Sequence, residues 1–143
     1  MRYMLLMIPR GYESAGPEID LDPEAVARMM AYNTAMAKAG VLITCDGLHP
    51  PSVGARITFD TGKPVVTDGP FAESKEVLGG YWMIEVDSRE EAIAWAMRCP
   101  GAPNEIVEVR RVQEMEDFSP DVQAAASGFE ELQGRRPPRE PRS

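Results

Sequence analysis

The segment Asp68-Gly69-Pro70-Phe71 joins a carboxylate to one residue that frees the backbone and one that restricts it. Glycine permits unusual φ angles, proline fixes its own φ and lacks an N–H, and aspartate accepts hydrogen bonds from nearby backbone donors. Two interpretations follow. The segment is either a rigid exit from a strand, with Phe71 filling a core or a dimer seam, or the frame of a ligand pocket into which the Asp68 carboxylate points.

Asp46 and His49 lie close together in the chain, separated by Gly47 and Leu48. A carboxylate beside an imidazole can orient the ring and hold it ready as a base near neutral pH. The simpler alternative is a surface loop, because two prolines follow His49 directly. With Asp68, these two residues are the candidate catalytic groups of the sequence.

Further polar side chains are candidates for contacts with a ligand. Segment 72–80 ends in two glycines and is either a lid that carries Glu73 and Lys75 over a pocket or a solvated connection to the next strand. The Tyr32 hydroxyl points to a pocket, or Tyr32 is a core residue with one satisfied hydrogen bond. Arg110 binds an anionic ligand or pairs with an acidic residue on the neighbouring strand. The candidate ligand-binding residues are Tyr32, Gly69, Pro70, Phe71, Glu73, Lys75 and Arg110.

The sequence contains none of the common nucleotide-binding, hydrolase or metalloprotease motifs. GxxxxGK[ST], GxGxxG, GxSxG and HExxH are all absent. The single histidine and the two separated cysteines, Cys45 and Cys99, cannot form an ordinary zinc site without several carboxylates. We therefore predict neither a metal nor a cofactor.

The chain is acidic, with a formal net charge of −8 over 143 residues. Residues 1–117 hold 11 Lys and Arg against 19 Asp and Glu, which argues against a nucleic-acid partner because duplex binding needs clustered basic side chains. No apolar run reaches the roughly 18–20 residues of a membrane span. Residues 1–8 are more typical of a buried strand than of a signal peptide, so we expect free thiols and a cytoplasmic location.

Hydrophobic patterns and turn residues predict two β-α-β halves with a hairpin between them. Residues 2–8 form a continuous apolar run, typical of a strand buried on both faces. A helix begins at Asp22-Pro23-Glu24 and ends at Gly40, and a second begins after a capping box at Ser88 and ends before Pro100. The other predicted strands are 41–45, 55–59, 63–67, 81–86 and 105–115, the last as an edge or interface strand.

This order predicts an α+β protein with a ferredoxin-like split β-α-β sheet, an inserted hairpin and both helices on one face of the sheet. The opposite face carries apolar strand residues, and a homodimer with the sheets packed face to face would cover it.

Residues 118–143 follow the predicted domain of residues 1–117. Ser119-Pro120-Asp121 begins a helix that Gly134 ends, so residues 118–134 are predicted to be a helical extension. Residues 135–143 are rich in proline and arginine and should be extended or flexible. The extension is a candidate docking helix for a protein partner, or it packs against the chain's own dimer.

Three blocks of the sequence resemble the DGPF branch of the YCII-related family. They are Asp46-Gly47-Leu48-His49-Pro50-Pro51, Val66 to Glu76 around the DGPFAE motif, and Leu78-Gly79-Gly80-Tyr81. The resemblance covers residues 1–117 and implies a ferredoxin-like fold, a dimer with an α+β-barrel-like sheet core and no settled activity. Members are often encoded beside extracytoplasmic-function sigma factors, which implies a signalling or accessory role.

The sequence departs from the family pattern at two places. In the YCII branch a histidine of the first helix pairs with an aspartate as the proposed acid/base dyad. Here that helix has no histidine, Met29 lies near the matching position, and His49 stands where DGPF relatives usually carry glutamine. The dyad of the relatives therefore cannot be transferred to this chain.

Two functional hypotheses remain. One is a homodimeric small-molecule-binding or accessory protein linked to sigma-factor signalling. The other is a cofactor-free lyase or isomerase in which Asp68, Asp46, His49 and Tyr32 supply acid/base chemistry. The second hypothesis requires Asp68 and His49 to approach one common cavity.

Overall fold

The computed structural model describes residues 1–18, 20–71 and 76–133. Its strands are Arg2–Ile8 (β1), Leu42–Gly47 (β2), Ala55–Thr58 (β3), Val65–Asp68 (β4), Gly80–Glu85 (β5) and Ile106–Arg111 (β6). Its α-helices are Pro23–Lys38 (α1), Arg89–Met97 (α2), Pro120–Ala125 (α3) and Phe129–Leu132 (α4). Glu73, Lys75 and the predicted tail 135–143 lie outside the described residues, as does Gly134.

Four strands form an antiparallel sheet in the order β2-β5-β1-β6. In central strand β1, Leu5 lies opposite Trp82 of β5 on one side and Val109 of β6 on the other. The two β-α-β halves interleave, because each places one strand between the two strands of the other. The structure thus has the predicted ferredoxin-like α+β arrangement, and β6 is an edge strand as predicted.

Helix α1 begins and ends where the sequence signals predict. The Asp22 side chain accepts a hydrogen bond from the backbone N–H of Glu24 at 3.2 Å, and Pro23 occupies the first turn, where its missing N–H costs nothing. Gly40 has a φ of 75°, the left-handed conformation that closes a helix most easily in glycine. The buried residues of the helix are Tyr32 and Met36.

Helix α2 is capped by Ser88, whose hydroxyl accepts a hydrogen bond from the N–H of Glu91 at 3.1 Å. The Glu91 carboxylate in turn accepts from the N–H of Asp87 at 3.0 Å. A capping box would use the N–H of the next residue, Ser88. Ala92 is fully buried, which places this side of α2 against the sheet. Helix α2 ends before Pro100, as predicted.

Helices α1 and α2 cover one face of the sheet. The buried core consists of Tyr3, Leu5, Met7, Tyr32, Met36, Val41, Trp82, Ile84, Val86 and Ala92. Because successive side chains of a strand point to opposite faces, Met4 and Leu6 lie on the other face, where they are half-buried. The prediction that residues 2–8 are buried on both faces is therefore wrong for the single chain, since the helices cover only one of them.

The inserted hairpin is present as a separate two-stranded sheet of β3 and β4, in which Ile57 lies opposite Val66. Its turn is closed by a hydrogen bond from the Gly62 N–H to the Phe59 carbonyl at 2.9 Å, and Gly62 has a φ of 78°. Ile57, Val66 and Phe59 are more than half exposed. The hairpin therefore buries little apolar surface within the chain.

The contacts divide the chain into two compact units, residues 1–112 and 113–143. In the second unit the predicted single helix is wrong, because it is divided into α3 and α4. Gly128 lies between them with a φ of 89°, and this left-handed conformation interrupts an α-helix. Among the helices of the described residues, none is long and apolar enough to cross a membrane.

Candidate functional site

A groove of about 400 Å³ lies between α1 and the end of the sheet where β2 meets β5. We call it the α1 groove. Its apolar walls include Met7, Met29 and Trp82, and Asn33 of α1 contributes a polar side chain. Asp46 and Tyr81 also line the groove, but their side chains lie on the other face of the sheet, because Tyr81 is paired with both Leu6 and Asp46. The volume and the mixture of apolar walls with a few polar groups are typical of sites for small organic ligands.

Two hydrogen bonds orient polar side chains at this end of the sheet, one on each of its faces. The Tyr81 hydroxyl donates to Asp46 Oδ2 at 2.8 Å, across the directly paired positions of β5 and β2. The Trp82 indole N–H donates to Asn33 Oδ1 at 2.7 Å, which connects the sheet to α1. A carboxylate can accept several hydrogen bonds, so Asp46 retains capacity for a donor or a cation on a ligand.

Gly79 and Gly80 allow the backbone to pass closely under the α1 groove. A Cβ atom on Gly80 would lie 2.9 Å from the Asp46 carbonyl oxygen, and one on Gly79 would lie 2.6 Å from the Pro9 ring. The Gly79 N–H also donates to the Met7 carbonyl at 2.8 Å. The two glycines are therefore required for packing, whereas the irregularity in this part of the sheet lies in β2, between Leu42 and Thr44.

The segment Asp68-Gly69-Pro70-Phe71 forms the exit of the hairpin. Asp68 is exposed at the end of β4, and the Gly69 N–H donates to the Gly54 carbonyl at 2.9 Å. A Cβ atom on Gly69 would overlap the Pro51 carbonyl group, so only glycine fits there. The peptide bond between Gly69 and Pro70 is cis. These contacts agree with the interpretation of a rigid exit from a strand.

Phe71 lies at the base of the hairpin rather than in the hydrophobic core of the chain. Its ring is half-buried, and the Arg56 guanidinium carbon lies 4.0 Å from the ring centroid, within the range of a cation–π contact. A second pocket, of about 430 Å³, includes Phe71, Arg56, His49 and Leu78 in its lining, and we call it the hairpin pocket.

The three candidate catalytic residues lie at different places. Asp46 lines the α1 groove and His49 lines the hairpin pocket. Asp68 lines neither of these two cavities. The structure thus pairs Asp46 with Tyr81 rather than with His49, although Asp46 and His49 are only three positions apart in the chain.

Tyr32 is a core residue with a satisfied hydroxyl group. Only 6% of its surface is exposed, and its hydroxyl donates to the Trp95 carbonyl at 2.7 Å. Its ring packs edge-on against Trp82, with the ring centroids 5.5 Å apart. Burial raises the pKa of Tyr32 above its ordinary value, and the nearby Cys99 thiol adds to the shift. These contacts match the alternative of a core tyrosine with one satisfied hydrogen bond.

Arg110 lies exposed on β6, where its guanidinium pairs with the Glu108 carboxylate at 3.4 Å. The partner is two residues away on the same strand, not on the neighbouring strand as expected. Because both side chains are solvent-exposed, this ion pair contributes little to stability.

Asn33 and Trp82 are not among the site residues predicted from the sequence. Asn33 lies in the apolar stripe of α1, and a polar residue in such a stripe is a signal for a buried partner, which the structure identifies as the Trp82 indole. The partner itself could not be predicted, because the two residues are 49 positions apart.

Both cysteines have a raised pKa, which favours the neutral thiol. Burial raises the pKa of Cys45, which lines the α1 groove, and the Asp46 carboxylate adds to this effect. Burial likewise raises the pKa of Cys99 to about 11, with a contribution from Glu105. Within the described ranges, no three His, Cys, Asp or Glu side chains cluster as the ligands of a metal ion would.

Comparison with known proteins identifies the family. An uncharacterized protein of Rhizobium meliloti (strain 1021) is 33% identical over 75 residues, a region that covers 52% of this chain and 60% of the relative. The chain thus matches less than two thirds of that relative's length. A family model described as the YCII-related domain matches residues 1–116. The chain therefore belongs to the YCII-related family.

Proposed function

We propose that this protein is a homodimeric small-molecule-binding protein of the DGPF branch and that its ligand occupies the α1 groove. The observation that carries the proposal is the Asn33 side chain, held by the Trp82 indole, at an otherwise largely apolar cavity. The Asn33 amide supplies a polar anchor, and the Met29 and Trp82 side chains supply apolar contact area. Two cysteines in the thiol state suit a reducing cytoplasm.

The proposed dimer is supported by the sheet face opposite the helices. Met4 lies opposite Met83, and Leu6 lies opposite Tyr81, so four large side chains form the centre of this face. Acidic and basic residues, Glu108 and Arg110 among them, lie toward its edge on β6. An apolar centre with both charge signs at the rim can be self-complementary in a two-fold dimer.

The accessory role linked to a sigma factor is supported by the resemblance to the DGPF branch. In this role, binding of a ligand to the α1 groove would be signalled to a protein partner, with residues 118–134 as the proposed docking segment. Co-purification of the full chain with the encoded extracytoplasmic-function sigma factor, compared with a chain ending at residue 117, tests this role. Equal recovery with both chains would refute the docking segment.

The cofactor-free enzyme has less support than the binding protein. It needs Asp68 and His49 at one cavity, whereas His49 lines the hairpin pocket and Asp68 lines neither that pocket nor the α1 groove. Asp46 and Tyr81 would have to supply its acid and base without the imidazole.

A thermal-shift screen of metabolites tests the proposed ligand site, because a bound ligand raises the apparent stability by mass action. We expect hits with the wild-type chain that are lost in Met29→Trp, which fills the groove, and kept in Asp68→Asn. Hits that depend on Asp68 alone would move the site to the hairpin exit. A screen in which both folded variants keep every wild-type hit would refute the α1 groove.

The dimer is tested by sedimentation of Leu6→Glu. A charge at the centre of the sheet face opposite the helices should convert the dimer to a monomer that retains its circular dichroism spectrum. Val66→Glu, on the exposed hairpin, is the matched control and should remain dimeric. A wild-type chain that sediments as a monomer at micromolar concentration would refute the dimer.

A further inference from the structure

The hairpin pocket is separate from the α1 groove, because the two cavities share no lining residue. Its lining is largely apolar. Pro50 and Val77 are buried there, and Val77 lies outside the core that the helices cover. Leu48 and Leu78 also line the pocket but remain 42% and 43% exposed. The pocket thus combines buried apolar walls with apolar surface that the described residues leave uncovered.

An aromatic ring holds the Arg56 side chain at the hairpin pocket. Both Arg56 and Phe71 line the pocket, and the Arg56 guanidinium carbon lies over the Phe71 ring, 4.0 Å from its centroid. A guanidinium that contacts a ring with its flat face keeps the N–H donors at its edge available. These donors form a fork that matches the two oxygens of a carboxylate. Arg56 can therefore bind an anion while it keeps its contact with Phe71.

Arg56 has no carboxylate partner among the residues that the structure describes. The strand register accounts for this. Arg56 lies opposite Thr67, whereas Asp68, the acidic residue of β4, lies opposite Ala55 and therefore on the other face of the hairpin. Residues 1–117 carry 19 acidic side chains against 11 basic ones, yet none of the described carboxylates pairs with this guanidinium. Its donors are therefore available to an external anion.

The lining of the hairpin pocket also contains His49 and Glu76, and both are exposed. Among the described residues, Glu76 is the one acidic member of this lining. Its carboxylate would repel an anion bound at Arg56, but solvent and salt weaken the repulsion because both side chains are exposed. The sign of the contribution of Glu76 to binding therefore distinguishes an anionic ligand from a cationic one.

We propose that the hairpin pocket binds a small carboxylic acid, with its carboxylate on the Arg56 guanidinium and its apolar body against Leu48 and Leu78. A volume of about 430 Å³ and a largely apolar lining with one convergent cation suit a ligand of this class. The proposal adds a second ligand site to the protein. It does not depend on the α1 groove, so either proposal can fail without the other.

Titration of the full chain with benzoate, followed by the amide chemical shifts, tests the proposal. We expect saturable shifts at the pocket, at Gly54 and Ala55 among others. Benzamide, which has the same ring without the charge, should bind about tenfold more weakly or worse, since it forms no charge-assisted hydrogen bonds with Arg56. Acetate, which has the charge without the ring, should also bind more weakly. No saturable shifts at the pocket, or equal affinity of benzoate and either other probe, would overturn the proposal.

Arg56→Lys keeps the positive charge but removes the planar fork, so it should weaken benzoate binding about tenfold. Arg98→Lys is the matched control, because Arg98 also lies over an aromatic ring, that of Trp95 at 4.2 Å, but does not line the pocket. Glu76→Gln should have the opposite sign and tighten benzoate binding about two- to fivefold. A folded Arg56→Lys variant with wild-type affinity, or a Glu76→Gln variant that binds more weakly, would overturn the inference.

Met29→Trp separates the two ligand sites, because it fills the α1 groove and should leave the affinity for benzoate unchanged. Loss of benzoate binding in this variant would place benzoate in the groove and overturn the hairpin pocket. If the metabolite screen gives hits that Met29→Trp removes while benzoate does not bind the wild-type chain, the groove stands and the hairpin pocket is overturned.

Discussion

The two halves of α1 have opposite relations to the sheet, although they belong to one continuous helix. In the second half, Tyr32 and Met36 are buried, and Met36 has no exposed surface. In the first half no residue is buried, and Val26 and Met30 remain 40% and 54% exposed. Cavities line the first half on both sides. The second half thus anchors the helix, and the first half leaves room for a ligand.

The difference shows that an apolar stripe does not by itself bury a helix along its whole length. The stripe of α1 continues from Val26 to Met36, but its buried residues, Tyr32 and Met36, lie in the second half, whereas Met29 of the first half is only partly buried against the core. At the boundary between the halves, Asn33 accepts a hydrogen bond from this Trp82. Four variants would break or sharpen the contrast between the halves.

The largest effect is expected for Met36→Ala. Removal of a fully buried methionine leaves a cavity and should lower the unfolding free energy by about 2–5 kcal/mol. Met30→Ala, the same substitution at an exposed position of the same helix, should cost less than about 0.5 kcal/mol. Chemical denaturation measures both, and similar losses would remove the distinction between the two halves.

Asn33→Ala tests the hydrogen bond that joins α1 to the sheet at the boundary between its two halves. The Trp82 indole N–H would lose its acceptor while its side chain remains 95% buried, and a buried donor without a partner costs about 1–3 kcal/mol. Thr34→Ala, the next and exposed position, should be nearly neutral. An Asn33→Ala variant as stable as the wild type would show that the hydrogen bond does not hold α1 to the sheet.

Tyr32→Phe removes the hydroxyl that donates to the Trp95 carbonyl, which should cost about 1 kcal/mol at neutral pH. The folded pKa of Tyr32 is raised above the ordinary value of 10.0, so the unfolded chain loses this proton at lower pH than the folded chain. The stabilisation from Tyr32 is therefore present below pH 10 and decreases as the pH rises above it.

The cost of Tyr32→Phe should accordingly shrink between neutral pH and pH 11. Urea denaturation of the wild-type chain and of Tyr32→Phe at each pH gives the difference in unfolding free energy. The titration of the other groups, Cys99 among them, is common to both chains and cancels in this difference. A difference that stays constant or grows with pH would contradict the assignment of Tyr32 as a neutral core residue.

The smallest effect is expected for Asp22→Ala at the open end of α1. Loss of an N-cap side chain costs typically about 1 kcal/mol, and less where the first turn is weakly packed. Asp20→Ala, before the cap, should have no measurable effect. Amide hydrogen exchange should show faster opening of the first turn in Asp22→Ala alone, and uniform acceleration through Met36 would mean that the halves open together.

Much of the fold could be predicted because its signals are local. The caps at Asp22 and Ser88, the closing glycine at position 40 and the hairpin turn at Gly62 each act through neighbouring residues. Gly128 was a local signal of the same kind, but the apolar stripe around it favoured one uninterrupted helix, and that prediction was wrong.

The candidate site was predicted less completely, because its contacts join distant parts of the chain. Asp46 and His49 are neighbours in sequence and line separate cavities, whereas Asp46 and Tyr81 are 35 positions apart and share a hydrogen bond. Strand pairing between β2 and β5 creates the contact between Asp46 and Tyr81, and their separation in the chain does not predict it.

The sequence by itself determined the order of the elements, the ends of both sheet-covering helices and the family, because caps, turns and motifs depend on residues that are close in the chain. Only the tertiary structure decided which half of α1 is buried, which partner Asp46 has and why Gly69 must lack a side chain beside Pro51. These features depend on close packing between distant segments, where a single atom decides whether a contact or a cavity results.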